Sequence, residues 1–496
     1  MAAVFALGMA VCSLMPASPA LAESLFDCVW TEYPGNPTFS GVNRAYYPSV
    51  IMVGGAYHMW YTDATVAGLY QVRHTTSGDG LTWSAPVAVT GLVSGQPSHT
   101  VVVNAGTDAS PSYRMWYGDG VSWPFSDNCF RTAVSADGLS WSGDTVIGQD
   151  PAAGLLRTDD TSDPAYRWRY GSYGPGAVLY NPSGYAALNT ADPMGNRYVM
   201  YYDGYTRYWL TGVQEATMLA VSADGVYWSR YGNAPVLNAS GGSTIWDGQY
   251  AFAWSVIKDG TDYHLWYGGG IGASHEGIGY AHSADGLAWT RVADHIMHVS
   301  DPGVPAWRSV RTYTPCVLQE GDLYKMWFSG RTGSSYRIGY AVGGVPEGRP
   351  TDAGGTEKRS YHYRTDVYCS GGGFYPGSNV DVRIVPEDDW TDGMAIPADE
   401  SGDGVNTLPV DAFGRLSNTL VWSNELVIGQ YDIIFDADRD GIFDASGDHA
   451  DNPHDPGFRV FGDTYTAPAY PGIAFGIAAA LVAGALAYWL RRSVAQ

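Results

Sequence analysis

Lysine is nearly missing from this chain. It stands only at Lys258, Lys325 and Lys358, and 27 basic residues face 50 acidic ones, a formal net charge of -23. A surface this acidic repels phosphate backbones, which excludes nucleic acid as a partner. Cysteine is also scarce. Cys12, Cys28, Cys129, Cys316 and Cys369 are scattered, a spacing that argues against a zinc site. Long polar helical patterns are absent. What the chain has in quantity is 36 tyrosines, 18 tryptophans and 63 glycines. That profile predicts an all-β protein with tight hairpins.

The two ends differ from the rest. Residues 1–22 form an apolar run closing on Ala20-Leu21-Ala22, the pattern of a signal peptide, although no basic residue precedes the run. Pro471–Leu490 is uncharged and is followed at once by Arg491 and Arg492. About 19 residues at roughly 1.5 Å each span a hydrocarbon core, so this run reads as a transmembrane helix with 491–496 as a cytoplasmic tail. The expectation is an exported protein anchored at the cell surface. Export removes Cys12 and permits disulfides, and the four remaining cysteines allow three pairings.

Between the ends, one aromatic phrase recurs: "YHMWYTDA" at Tyr57, "YRMWYGDG" at Tyr113, "YVMYYDGY" at Tyr198, "YHLWYGGG" at Tyr263 and "YKMWFSGR" at Tyr324. Four copies are followed by a second phrase: "TSGDGLTW", "VSADGLSW", "VSADGVYW" and "HSADGLAW". Asp-Gly between alternating apolar segments signals a hairpin. Trp168, Trp246 and Trp307 each precede by ten residues a valine of a third, apolar strand. Each unit thus reads as four antiparallel strands in roughly 60 residues, the period of a propeller blade. The fifth unit stops at "IGYAVGG" without its Asp-Gly strand. The segment "DCVWTEYPGNPTF" (Asp27–Phe39) matches "DGVYWSRYGNAPVL", so the first strand is expected to complete the last blade. The predicted fold is a five-bladed β-propeller over 23–345, closed by its N-terminal strand.

The phrase "PSVIMVGGAYHMWYTD" with "SxDGLxW" resembles the five-bladed glycosidases of glycoside hydrolase families 32, 43, 62, 68 and 130. The resemblance covers about residues 25–345 and implies two carboxyl groups facing each other near the starts of the inner strands. Where those enzymes open the first inner strand with Asp-Pro, this chain reads Tyr46-Tyr47-Pro48-Ser49, and the inner strands at 174–181, 251–258 and 312–319 bring no acid. Candidate relocated carboxylates are Asp63, Asp119 and Asp203, at the ends of second strands, and Glu276. Glu215 shares the register of Glu276, and Arg44 that of Arg311. Together with Tyr47, Tyr205, Tyr208, Trp209 and Trp254 these residues are expected to line one mouth of the central funnel. There, aromatic faces would stack on sugars while acids and arginines bind hydroxyls. The alternative is that the aspartates cap turns or pair with arginines. The polar insertion Gln149–Tyr166 rims the same mouth or is a plain surface loop.

Past 345 the phrase changes. Residues 346–360 read as a linker from their Gly, Pro and charge content. Residues 361–465 read as a small immunoglobulin-like β-sandwich. Within it "DADRDGIFDASGD" places Asp436, Asp438, Asp440, Asp444 and Asp448 in a pattern resembling a calcium loop, with Gly447 where a bidentate acid is expected. The functional expectation is a surface-anchored propeller that binds carbohydrate or cell-surface glycan without the inherited catalytic pair. Two alternatives stay open: an active glycoside hydrolase using relocated carboxylates, and a structural or adhesion protein of the envelope.

Overall fold

The computed structural model describes residues 29–462, apart from 66–67, 120–128, 148–173, 186–196, 206–214, 261, 272–274, 292–294, 322, 403–405, 412–413, 424–425, 445–446 and 453–455. The expected leader (1–22), the insertion Gln149–Tyr166, Tyr208, Trp209 and the apolar run Pro471–Leu490 lie outside the described residues. Among the described residues, no helix is long and apolar enough to cross a membrane. The chain divides into two compact units after Val345.

The first unit is built from sets of antiparallel strands. β1 (Val29–Glu32) stands alone at the start. β2 (Ala45–Val53), β3 (Ala56–Ala64), β4 (Tyr70–Ser77) and β5 (Val87–Ala88) form one sheet, and β6 (Pro97–Asn104), β7 (Tyr113–Asp119), β8 (Cys129–Ser135) and β9 (Ser142–Val146) a second. Then come β10 (Pro175–Tyr180), β11 (Tyr198–Tyr205), β12 (Glu215–Ser222) and β13 (Trp228–Arg230). They are followed by β14 (Tyr250–Asp259), β15 (Asp262–Gly270), β16 (Gly277–Ser283), β17 (Thr290–Arg291) and β18 (Met297–His298). These two sets share one sheet through a short parallel contact, Glu215 opposite Tyr250 and Ala216 opposite Ala251. The last set is β19 (Arg311–Glu320), β20 (Leu323–Thr332) and β21 (Ser335–Gly344), and β1 adds to β21 from Val29↔Gly344 to Glu32↔Ala341. The innermost strands pack in sequence, β2 on β6, β6 on β10, β10 on β14, β14 on β19, and β19 back on β2.

The two recurring phrases are the parts of one joint. In the Asp-Gly turn, Ser77 Oγ accepts the Gly80 amide at 2.8 Å, and Asp79 Oδ1 accepts the Leu81 and Thr82 amides at 2.8 and 2.7 Å. The turn leaves the glycine carbonyl for the neighbouring set. Trp60 Nε1 donates to Gly138 O at 2.8 Å, Trp116 to Gly225 O at 2.8 Å, and the Tyr201 hydroxyl to Gly286 O at 3.0 Å. Trp327, in the last set, donates to Gly80 O in the first at 2.8 Å, so the stitching closes on itself. Only glycine fits that turn. Gly80 has φ +77, and a Cβ there would lie 2.8 Å from Trp327 Cζ2. The last set has no Asp-Gly turn to offer. Trp266, which would donate to it, has no partner for Nε1 among the described residues and packs edge-on against Trp30 of β1, centroids 6.1 Å apart.

In the second unit, β22 (Glu347–Thr351), β23 (Ser360–His362), β24 (Val367–Gly372), β25 (Asn379–Pro386), β26 (Met394–Ala395) and β27 (Asn406–Pro409) are followed by β28 (Leu416–Trp422), β29 (Gly429–Asp436), β30 (Ile442–Phe443), β31 (His449–Ala450) and β32 (Phe458–Phe461). The order β22-β24-β28 makes one sheet and β23-β32-β29-β25-β27 another, and they share a core of Val367, Val382, Ile433, Phe435 and Trp422. The expected linker 346–360 is corrected here. β22 pairs with β24 from Glu347↔Gly372 to Thr351↔Tyr368. Its Gly348 serves packing rather than flexibility, because a Cβ there would lie 2.1 Å from the Phe435 ring. Cys369 is buried and, like Cys316, not disulfide-bonded.

Candidate functional site

Every inner strand of the first unit breaks its register at one place. The pairing skips from Tyr46 to Ser49, from Ser98 to Val101, from Pro175 to Ala177, from Ala253 to Ser255 and from Tyr313 to Cys316. Such bulges bend a strand and re-aim a side chain. Where two residues are skipped, the first adopts a left-handed conformation: Tyr47 at φ 55, His99 at φ 52 and Thr314 at φ 52. Ser329 fixes two of these bulges, since its hydroxyl accepts from the Tyr47 amide at 3.1 Å and lies 2.5 Å from Thr314 Oγ1. The bulges bring Tyr47, His99 and Trp254 together. Tyr47 stacks on His99 at 4.0 Å and on Trp254 at 5.2 Å, and His99 stacks on Trp254 at 5.4 Å. Burial first, and His275 second, pull the His99 imidazole down to about 3, so the ring is neutral.

Next to this stack lies a cavity of ≈ 280 Å³ lined by the inner strands, including Ser49, Val102, Val178, Ser255 and Cys316. No lining residue is acidic. Its small polar groups stitch neighbouring inner strands: the Val102 amide donates to Ser49 Oγ at 3.0 Å, the Val317 amide to Ser255 Oγ at 3.0 Å, and the Val50 amide to Cys316 Sγ at 3.2 Å.

The chemistry gathers at the starts of β12, β16 and β19. Glu215 lies opposite Tyr205 on β11 and Tyr250 on β14, and its carboxylate meets His275 Nε2 at 2.7 Å. The two side chains are 3% and 14% exposed, so the pair is largely dry yet reachable. His275 lies parallel to Tyr313 at 6.3 Å and edge-on to Tyr250 at 5.0 Å. Burial, then the Glu215 charge, push the Tyr250 phenol up to about 12, while Tyr205 and Arg311 act in the opposite sense. Arg311 sits 5.8 Å over the Tyr313 ring, and Tyr313 meets Tyr47 edge-on at 6.0 Å. Glu215, Arg311, Tyr47, Tyr205 and Trp254 therefore belong to one neighbourhood. His275, Tyr250 and Tyr313 were not singled out from the sequence. Only the adjacency of His275 to Glu276 could have drawn attention to it.

The other expected acids are placed differently. Asp63 is fully buried and accepts from the Asn43 amide (2.9 Å), Asn43 Nδ2 (2.9 Å), the Arg44 amide (3.2 Å), Gln71 Nε2 (3.3 Å) and Arg73 Nε (2.7 Å). It braces the entry to β2. Asp203, also fully buried, accepts the Gly174 amide at 3.1 Å before β10. Asp119 accepts from Ser94 Oγ and pairs with Arg131 at 3.5 Å. Glu276 lies 4.0 Å from His298 Nε2 and is 32% exposed. Arg44 lies over Tyr336 at 5.9 Å.

Among the described residues, two groups have the donors for a metal ion. His295, His298 and Asp301 bring ligand atoms within 4.8 Å of one another, as do Asp436, Asp438 and Asp440 in the second unit. Around the latter, Asp436 accepts the Arg439 and Gly441 amides, and Asp448 accepts the Ala437 and Asp444 amides at 2.7 and 3.1 Å. Burial, with Asp436 and Asp444 adding, pushes the Asp448 carboxyl up to about 7.

No family profile matches the chain. Over 218 residues it is 30% identical to the uncharacterized protein MT1551 of Mycobacterium tuberculosis strain CDC 1551, a stretch covering 42% of this chain and 67% of that protein. The chain belongs to the family of this mycobacterial protein. A second member, the uncharacterized protein Rv1502 of strain H37Rv, is 29% identical over the same length. Among solved structures the chain is similar to a glycosyl hydrolase from Bacteroides ovatus, with TM-score 0.47 and 13% identity over 63% of this chain and 93% of that one. It is also similar to a structure from the GH130 family of mannoside phosphorylases and glycoside hydrolases, with TM-score 0.44 and 15% identity over 63% and 93%.

Proposed function

We propose that the first unit is a five-bladed β-propeller, each strand set a blade, that binds carbohydrate at the mouth formed by Tyr47, Tyr205, Tyr250, Trp254, Arg311 and the Glu215–His275 pair. The observation that carries this reading is the meeting of the partly exposed rings of Tyr47, Tyr205 and Trp254 with the Glu215 carboxylate, which lies 2.7 Å from His275 Nε2. Aromatic faces stack on sugar C–H surfaces, and the carboxylate, imidazole and guanidinium hydrogen-bond hydroxyls. Binding is favoured over hydrolysis by the engagement of Asp63 and Asp203, which are fully buried and bonded to the chain around them. A glycan array probed with the full-length chain tests the reading. At least one glycan is expected to bind, and Trp254→Ala is expected to weaken it by ~10-fold or more, the loss of about 1.4 kcal/mol of stacking. An array with no hit ends the carbohydrate reading. Hydrolysis of a hit that stops in Glu215→Gln would establish catalysis in its place.

The second unit, read as an immunoglobulin-like sandwich, is proposed to hold calcium through Asp436, Asp438 and Asp440, with Asp444 and Asp448 closing the loop. Oxygen donors from a short acidic turn suit a hard cation. Calcium at a hundred times its dissociation constant adds about 2.7 kcal/mol of stability. Melting of the second unit should therefore move up in calcium relative to EDTA, and Asp438→Asn should abolish the difference. Identical melting curves in calcium and EDTA would refute the site.

A further inference from the structure

The chain runs His295-Ile296-Met297-His298-Val299-Ser300-Asp301 through β18 and the turn that follows it. His295, His298 and Asp301 bring a ring nitrogen each and a carboxylate oxygen within 4.8 Å of one another. The turn holds them there. Asp301 Oδ2 accepts the His298 amide at 2.6 Å, which leaves Oδ1 aimed at His295 Nε2, 2.7 Å away. Ser300 engages the Nδ1 edge of His298, its hydroxyl at 2.6 Å and its amide at 3.1 Å. On the other edge of that ring, Nε2 lies 4.0 Å from the Glu276 carboxylate.

Glu276 arrives from a different strand, and its place is fixed. β18 pairs with the start of β16, His298 opposite Gly277, and the Val299 amide donates to the Glu276 carbonyl at 3.0 Å. Glycine at 277 admits this approach, because a Cβ there would lie 2.7 Å from His298 Cδ2. Trp246 packs edge-on against both imidazoles, at 5.6 and 6.1 Å, and the two rings lie 4.8 Å apart. All four side chains keep some exposure, from 11% at His298 to 32% at Glu276, so an ion can enter from solvent. The bond between His295 and Asp301 would close this turn with a single imidazole. It gives no reason for a second imidazole and a second carboxylate beside it.

We infer that His295, His298, Asp301 and Glu276 form a binding site for a divalent transition-metal ion of the zinc class. Two neutral imidazoles and two carboxylates balance a dication, and nitrogen donors favour zinc over calcium and magnesium, which take oxygen. A tetrahedral ion with bonds of about 2.0–2.1 Å holds its donors roughly 3.4 Å apart. The 2.7 Å contact must therefore open and the 4.0 Å gap close, each by less than about 1 Å. Ligation through His298 Nε2 puts the ring proton on Nδ1, where the Ser300 hydroxyl accepts it, the outer contact that orients a ligating imidazole. The ion ties the turn after β18 to the start of β16, one residue from His275 of the mouth. The inference does not depend on the carbohydrate reading, since a metal site here is compatible with any ligand of the mouth.

The test uses the full-length chain, stripped with EDTA and titrated with zinc against a chromophoric chelator. One zinc per chain should bind, and at a hundred times its dissociation constant it should raise the melting temperature of the first unit by ~4 °C. His295→Gln should weaken zinc by ~100-fold or more, and Glu276→Gln by ~10-fold or more. Asp438→Asn, in the acidic loop of the second unit, should bind zinc as the parent chain does. Cobalt in place of zinc should give the visible d–d bands of a tetrahedral nitrogen and oxygen site, and His295→Gln should lose them. In EDTA, His295→Gln and Glu276→Gln should melt close to the parent chain, which separates a lost ligand from a lost fold. Should His295→Gln not fold, Glu276→Gln, altered at a partly exposed side chain on the other strand, decides the matter. Failure of the parent chain to bind zinc overturns the inference. So does zinc affinity unchanged in either variant, which would place the ion on scattered surface carboxylates, or displacement of zinc by calcium or magnesium at comparable concentration.

Discussion

Replacing Gly176 with alanine is expected to cost the first unit on the order of 4 kcal/mol, or to prevent the chain from accumulating folded. Gly176 is the bulged residue of the third inner strand, and a Cβ there would lie 1.8 Å from the Ala253 carbonyl oxygen and 2.8 Å from the Phe252 ring. A backbone oxygen of the next strand cannot swing aside as a side-chain tip can, so the neighbouring β14 must move. The reason for a glycine lies in the axis. Tyr47, His99 and Trp254 already place three rings there, and Trp254 occupies in its own set the position Gly176 holds in the preceding one, two residues before the inner-strand valine. Urea unfolding followed by tryptophan fluorescence measures the cost. Gly95→Ala is the control, because a Cβ at Gly95 meets nothing within 4 Å. If both variants lose less than about 1 kcal/mol, the close approach of β10 and β14 is not what fixes the bulge.

The recurrence of the two phrases was legible because each is local: a hairpin needs its turn and its alternating strands within some twenty residues. Even the partnership of Val29–Glu32 and Phe39 with the last set could be read, because the segment repeats the wording of the strand it replaces. What could not be read were joints between sets. Trp60 and Gly138 are 78 positions apart, and Trp327 and Gly80 are 247 apart. Nothing in either phrase names its partner. The mouth shows the same limit. Glu215 stood out by register, but its pairing with His275 arises only because a two-residue parallel contact sets β12 beside β14, which brings His275, between β15 and β16 of the next set, to the carboxylate. Asp63 looked equally suitable as a free acid, and the residues that fill its oxygens come from two different segments, Asn43 before β2 and Gln71 and Arg73 on β4. The misread linker at 346–360 has a further cause. Composition cannot distinguish a glycine kept for mobility from one such as Gly348, kept because an aromatic ring lies on it.

Acid should destabilise the first unit through His99, and His99→Asn should remove that sensitivity. In the folded chain burial, and then the neighbouring His275, hold the His99 imidazole at about 3, against 6.5 when it is solvated. The unfolded chain therefore takes up a proton between those values and the folded chain does not. With a depressed folded value on a base, the stability linked to this group is fully present above 6.5 and is lost as pH falls toward about 3. Each pH unit in that window costs about 1.4 kcal/mol, so moving from pH 7 to pH 5 removes roughly 2 kcal/mol that the variant does not lose. Asparagine suits the test because it accepts the left-handed backbone that His99 adopts at φ 52 and carries no charge at any of these pH values. Losing the stacked ring costs the variant stability at pH 7, about 1 to 3 kcal/mol, so the two stability curves should converge or cross near pH 5. Parallel curves between pH 7 and pH 5 would show that His99 takes up its proton equally in both states. A cation could then enter the stack of Tyr47 and Trp254 without cost, and the axis would not be the dry aromatic plug on which the binding mouth is built.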